Sequence, residues 1–325
     1  MTDSPGISAA SSRFPLETLY QAARMYYLDD ATQVEIAAKL RVSRPTVSRF
    51  LAEARRVGLV QIDVIDPQQA NEGSLGHELA DALGLQKVYL SGGNHSAGML
   101  SGLSAQVGAA IEDMQLVPGN SLLVSSGRTL YEVSRTRLPS LAGIVLAPTV
   151  GGQAEPEPWY QTNEITRAVA EKTGAHPTFL FAQAMPSAQL YQSLLSDPSF
   201  QRVTRLWDTA KGALLGIGAP PAARGSISRF IPLDDDSLVN AVGDVCLNFF
   251  AADGTEIEFT GSDRVVRTSP AMLRKIEHTV GVAVGAEKTL SIIAAAKGGY
   301  IRQLVTDTAT ADAILALLRR RPAAS

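Results

Sequence analysis

The residues best suited to chemistry in this chain are cationic or hydroxyl-bearing, and they fall in two settings. The first is RVSRPTVSRFLAEARR, residues 41–56, where five Arg accompany one acid, Glu53. One face of this stretch combines Pro45, Thr46, Ser48, Arg49 and Ala52, small or polar side chains plus a guanidinium. Such a face enters a major groove without bulk and offers donors to phosphates and base edges. Arg41, Ser43, Arg44, Pro45, Thr46, Ser48 and Arg49 are therefore the candidate contacts to double-stranded DNA. The plainer alternative is a helical hairpin with a solvated basic face. The second setting is Ser125-Ser126-Gly127-Arg128-Thr129, after an apolar run. Here a glycine lets the backbone turn, free N–H groups open a helix, and Ser, Thr and Arg side chains add donors. This reads as an anion cradle or as an ordinary strand-to-helix turn.

The elements that must position the basic face are two short helices. Thr32 can cap the first, with Glu35 placed to complete a capping box. Ile36, Ala37 and Leu40 form its inner face, and Ala37 permits close approach of a partner helix. The turn is Arg41-Val42-Ser43. Ser43 is an N-cap and Pro45 lies in the first turn, where its missing N–H is harmless. Val47, Leu51 and Ala54 then point inward. A preceding helix from about Pro15 to Leu28 braces the pair through Leu16, Leu19, Tyr20 and Ala23. After Gly58, LVQIDVID alternates as a strand would, which suits a small wing.

The chain has 325 residues and a net charge of −3, so it is not generally basic. Residues 1–62 hold eight Lys/Arg against six Asp/Glu, which confines polyanion binding to the N-terminal end. A single cysteine, Cys246 in GDVCLNFF, excludes an internal disulfide and reads as a buried strand thiol. The histidines at 77, 95, 176 and 278 show no metal-ligand spacing, and no metal or cofactor is expected. No secretory leader or apolar span of about 18 residues is present, which points to a cytoplasmic protein without a membrane segment.

Four parts are expected. Residues 1–14 form a disordered tail, 15–66 the helix-turn-helix domain, 67–73 a turn-rich linker and 74–325 an effector and oligomerisation domain. In the last part strands and helices alternate. SLLVSS, GIVLAP, HPTFLFA, GALLGIG, GDVCLNFF, HTVGVAVG and IRQLVT read as strands, with a long helical region over 190–210. Apolar strands separated by helices imply an α/β fold with a mostly parallel sheet covered on both faces. Ligands of such sheets bind beyond the carboxyl ends of the strands.

TQVEIAAKLRVSRPTVSRFL, followed in order by SSGRTLYEV, NEITRAVAEKTGA, LLGIGAP, VGDVCLNFFAADG and LVTDTATADAIL, resembles the SorC-type (SorC/DeoR) sugar-binding bacterial transcriptional regulators over residues 16–320. The resemblance implies a winged-helix-like head on an effector domain related to sugar-phosphate isomerases and deaminases. It implies an operator-binding homodimer or homotetramer that answers to a phosphorylated sugar. By that likeness Gly127 and Thr129 hold the phosphate, with Ser125, Ser126 and Arg128 beside them, and Lys288 is a second cation. Asp244 is either an acceptor for sugar hydroxyls or the cap of a turn. Gly151, Gly152 and Gly218 would let a ligand approach the backbone, and Gln183 could turn its amide to the sugar. The sequence has no cation before Gly151-Gly152, which argues against a second phosphate site. A sugar-phosphate isomerase or deaminase carrying a DNA-binding head is the alternative, with Asp244 as its sole candidate base.

Overall fold

The computed structural model describes residues 12–60, 67–92, 99–224, 231–232 and 236–320. It divides into two compact units, 1–66 and 67–325.

The first unit is three helices, α1 (Leu16–Tyr27), α2 (Gln33–Leu40) and α3 (Arg44–Arg56). The Thr32 hydroxyl accepts the Glu35 N–H at 3.3 Å, and the Glu35 carboxylate accepts the Thr32 N–H at 2.8 Å. This reciprocal cap fixes the start of α2, a contribution of about 1 kcal/mol. Arg41 ends α2 in the left-handed region, with φ 54°. Ser43 then caps α3 by accepting the Thr46 N–H, with Pro45 in the first turn. Leu19, Ala22, Ala23, Ile36, Ala37, Val47, Phe50, Leu51, Ala54 and Val57 close the core.

The second unit is a sheet with helices on both faces. Its order is β1 (Lys87–Ser91), β9 (Gln303–Asp307), β8 (His278–Val282), β5 (Gly212–Gly218), β2 (Ser121–Val124), β3 (Val145–Pro148) and β4 (His176–Pro177), all parallel. Successive side chains in a strand leave on opposite faces. Accordingly Leu123, Ala213 and Leu215 enter one apolar cluster, while Leu122, Val124 and Leu214 enter the other. Burial on both sides explains why these strands read as continuous apolar runs. After β2 the chain moves to β3 on one side, whereas β5 lies on β2's other side. The connections diverge there and leave a crevice at the carboxyl ends of the strands.

Several expectations are corrected. Residues 67–73 are not a linker: they begin the helix α4 (Pro67–Leu83). Residues 12–14, expected in a disordered tail, are packed. Phe14 meets Phe50 edge-on at 4.9 Å, and the Arg13 N–H donates to Glu53 at 2.9 Å. Tyr20 is 49% exposed rather than core, because Ala22 takes the inward position. The expected wing falls mostly on 61–66, outside the described residues.

In HPTFLFA only His176 and Pro177 pair, since proline has no N–H for the ladder and sits at the sheet edge. The backbone at Leu180 is bracketed instead by the Asn163 amide, at 3.0 and 3.1 Å. The long helical region is broken into α8 (Ala188–Ser196) and α9 (Pro198–Thr209), because Pro198 cannot continue a helix and Asp197 caps the new one. GDVCLNFF is a hairpin of β6 (Gly243–Val245) and β7 (Asn248–Phe250), attached antiparallel to the end of β5. Cys246 and Leu247 form its turn at φ 52° and 61°, so the thiol sits in a turn rather than a strand. Burial pushes that thiol up to about 12, which leaves it protonated and unreactive.

Candidate functional site

On the outer face of α3, Arg44, Pro45, Ser48, Arg49 and Ala52 are exposed and Thr46 is half-buried. Arg41 and Ser43 lie exposed in the preceding turn. Among the described residues Arg41, Arg44 and Arg49 have no ion-pair partner. Ser43 and Thr46 are partly committed, because their hydroxyls share a hydrogen bond at 2.8 Å. Glu53, the one acid of this stretch, is turned inward. It takes two hydrogen bonds from the Arg56 guanidinium, at 2.6 and 2.9 Å, and one from the Arg13 N–H. The Arg56 bonds foremost, then the Arg13 N–H, hold its carboxyl down at about 2. The outer face therefore carries no carboxylate to oppose its guanidinium groups.

In the second unit a cavity of about 930 Å³ opens at the carboxyl ends of the strands. Its wall includes Ser126, Gly127, Arg128, Thr129, Gly218, Asp244 and Lys288, brought from four separate segments. Gly127 stands at φ 129°, a region reserved for glycine, and opens α6 (Arg128–Ser134) with no side-chain cap. Its own N–H is already used, donating to the Trp159 carbonyl at 2.9 Å. Arg128 lays its guanidinium over the Trp159 ring, 4.5 Å from the centre. Lys288 closes a 3-10 turn, Ala286–Lys288, and among the described residues it makes no ion pair. Burial pulls its pKa below the usual lysine value. Arg224 and Arg128 push the same way, while Glu287 and Asp244 oppose them. A half-buried ammonium that forms no ion pair among the described residues is open to an anion.

Asp244 is 7% exposed and both its oxygens are engaged. One accepts from the Arg224 guanidinium, and the other accepts the Leu247 N–H at 2.9 Å. It caps the β6–β7 turn while forming part of the cavity wall. Gly218 is required beside it, since a Cβ there would collide with the Asp244–Arg224 pair.

Four expected residues lie outside the cavity wall. Ser125, 2% exposed, accepts the Gly216 N–H at 2.8 Å and ties β2 to β5. Gly151 and Gly152 serve packing. A Cβ at Gly151 would stand 2.7 Å from the backbone of Gln183 and Ala184, and Gly152 pairs with Gln183 in an isolated bridge. Gln183 itself is exposed on that bridge.

Sequence reasoning missed Arg224, Gln153, Glu157 and Trp159, all in the wall. An Arg in the Gly/Pro loop after β5 was a usable signal. The other three sit in QAEPEPWY, a loop whose direction no periodicity reveals. Among the described residues no group of three or more His, Cys, Asp or Glu is placed to hold a metal. Nor is any described helix long and apolar enough to cross a membrane.

Residues 68–316 match the family model Sugar-bind, for a sugar-binding domain. The chain is 28% identical over 313 residues to the sorbitol operon regulator of Klebsiella pneumoniae, covering 92% of this chain and 98% of that one. It is 30% identical over 302 residues to the deoxyribonucleoside regulator of Bacillus subtilis, covering 91% and 96%. The crystal structure of the full-length sorbitol operon regulator SorC from Klebsiella pneumoniae superposes with a TM-score of 0.68 at 27% identity, over 93% of this chain and 99% of that one. These relatives are transcriptional regulators, not enzymes. With its sugar-binding domain matched and regulators aligned along nearly all of its length, the chain belongs to the SorC-type family of sugar-binding transcriptional regulators.

Proposed function

We propose that this regulator binds operator DNA through the outer face of α3, and that a phosphorylated sugar in the cavity of the second unit sets the strength of that binding. The observation that carries the effector half is Lys288, a half-buried ammonium with no ion pair among the described residues, in a cavity of ligand size. A phosphate supplies the missing charge. Ser126, Thr129 and the uncapped start of α6 add donors, and Arg128 adds a second cation. The relatives' names, a sorbitol operon and deoxyribonucleosides, favour a sugar or polyol as the body of the ligand.

In this reading Arg44 and Arg49 reach base edges and phosphates, Arg41 holds the backbone, and Ser43, Pro45, Thr46 and Ser48 line the close approach. Two heads in a homodimer or homotetramer read half-sites about one helical turn apart or a multiple of it. The ligand acts by binding one arrangement of the effector units better than another, a coupling of about 1–3 kcal/mol. Gel-shift titration of the DNA upstream of the protein's own gene, with and without a panel of sugar phosphates, tests both halves. A specific complex whose midpoint moves with one sugar phosphate is expected. No specific retardation, or retardation indifferent to every sugar phosphate, overturns the corresponding half.

A further inference from the structure

The cavity spans four strand ends, and the sheet order fixes how its parts are laid out. Lys288 follows β8, Arg224 and Asp244 follow β5, Ser126 to Thr129 follow β2, and Gln153, Glu157 and Trp159 follow β3. With β8, β5, β2 and β3 adjacent in that order, Lys288 and the β3 loop enter the cavity from opposite ends of this row of strands. Arg128, stacked on Trp159, stands between them.

The β3 end has its own chemistry. Among the described residues the buried Glu157 carboxylate oxygen Oε2 has no hydrogen-bond partner, and Glu157 belongs to the cavity wall. Gln153, also in the wall, is 8% exposed, and its side-chain amide, unpartnered among the described residues, is accessible from the cavity side rather than sealed off. A buried polar atom is rarely left without a hydrogen bond, because it has given up water and gained nothing in return. The loop is held in place at both flanks. The Trp159 carbonyl accepts the Gly127 N–H at 2.9 Å, and the Gln161 amide donates to the Glu155 carbonyl at 2.7 Å.

We propose that Glu157, with Gln153, is the specificity-determining end of the effector site. It accepts from neutral sugar hydroxyls and excludes a second phosphate. The ligand class is a singly phosphorylated sugar or polyol with its anion toward Lys288 and free hydroxyls toward the β3 loop. A neutral hydroxyl satisfies the Glu157 carboxylate by donating to it, whereas a phosphate dianion has no proton to donate and repels it. This rests on the cavity being the effector site.

The test is calorimetric titration of the full-length protein with ribose 5-phosphate, glucose 6-phosphate, glucitol 6-phosphate and fructose 1,6-bisphosphate. The wild type is expected to bind at least one of the monophosphates about tenfold or more tighter than the bisphosphate. Glu157→Gln, checked for folding by its melting temperature without ligand, is expected to weaken the monophosphate about tenfold and to strengthen the bisphosphate. The wild-type ratio alone keeps the proposal testable if that variant fails to fold. A wild type that binds the bisphosphate as tightly as its best monophosphate overturns it. So does a folded Glu157→Gln protein with an unchanged ratio while Lys288→Ala abolishes binding, and in that case the effector site itself stands. Binding of none of the four by the wild type overturns the effector reading and this proposal together.

Discussion

The basic face of α3 and the cavity of the second unit both gather positive charge, and they hold it in opposite ways. Arg44 and Arg49 stand exposed and unpaired, on a face from which the one acid, Glu53, has been turned away. In the cavity Arg224 is tied to Asp244, Arg128 lies over Trp159, and Lys288 is half-buried. Exposed, unpaired cations attract any polyanion and leave discrimination to spacing and base edges. Braced and buried cations accept only an anion that fits and can replace lost solvation. One molecule thus carries an indiscriminate attraction and a selective one, each built from the same few residue types.

Salt gives the largest separation of the two. Operator affinity should fall by about three orders of magnitude between about 50 and about 200 mM salt, while effector affinity changes less than about tenfold. Anisotropy and calorimetric titrations measure the two slopes, and equal slopes would erase the contrast. Next in size, Arg49→Ala should weaken operator binding by about 1–3 kcal/mol while the effector still raises the melting temperature as in the wild type. An unchanged operator affinity would remove Arg49 from the recognition face.

Lys288→Ala should do the reverse, weakening the effector by about 1.5–3 kcal/mol with effector-free operator binding intact. Because burial lowers the Lys288 pKa, its ammonium is lost at a lower pH than an ordinary lysine's. Effector affinity should therefore decline with rising pH before the ordinary lysine value of 10.5 is reached, and the decline should vanish in Lys288→Ala.

Gly151→Ala sharpens the division between wall and scaffold. Its Cβ meets the Gln183 and Ala184 backbone, so stability should drop by about 1–3 kcal/mol with effector affinity of the folded protein unchanged. A selective loss of effector affinity would return Gly151 to the site.

The smallest effect is acid sensitivity of the head. Glu53 is held at about 2 in the fold, against the ordinary carboxyl value of 4.5. A depressed carboxyl contributes stability that is complete above about 4.5 and lost as pH falls toward 2. Glu53→Gln should flatten the melting temperature of the head over that window.

The head was nearly all legible because its signals are local. Thr32 with Glu35, and Ser43 with Pro45, lie within four residues of what they cap, and helical periodicity then assigns Val47, Leu51 and Ala54 inward. Phe50 escaped notice only because the face was drawn too narrowly. The strands of the second unit were legible for the same reason, apart from those where proline or a turn intervened, as at Pro177 and Cys246. The cavity was legible where a strand runs straight into a short turn, as at Ser126–Thr129, Gly218 and Lys288, and at Asp244 through its likeness to the family. Gln153, Glu157 and Trp159 arrive on a loop that bends back over the sheet, and no local pattern encodes such a bend. Gly151 and Gly152 carry the converse lesson: a glycine pair records a close neighbour without saying whether it is a ligand or the chain itself.

The hairpin turn at Cys246 and Leu247 has a consequence of its own. Two side-chain-bearing residues in left-handed geometry cost about 1–2 kcal/mol apiece, where Asn-Gly would cost little. Asp244, by gripping the Leu247 amide, is what makes so awkward a corner tenable. An architect would call it a keystone that also faces the room: replace it to alter the occupant's welcome, and the arch above begins to sag.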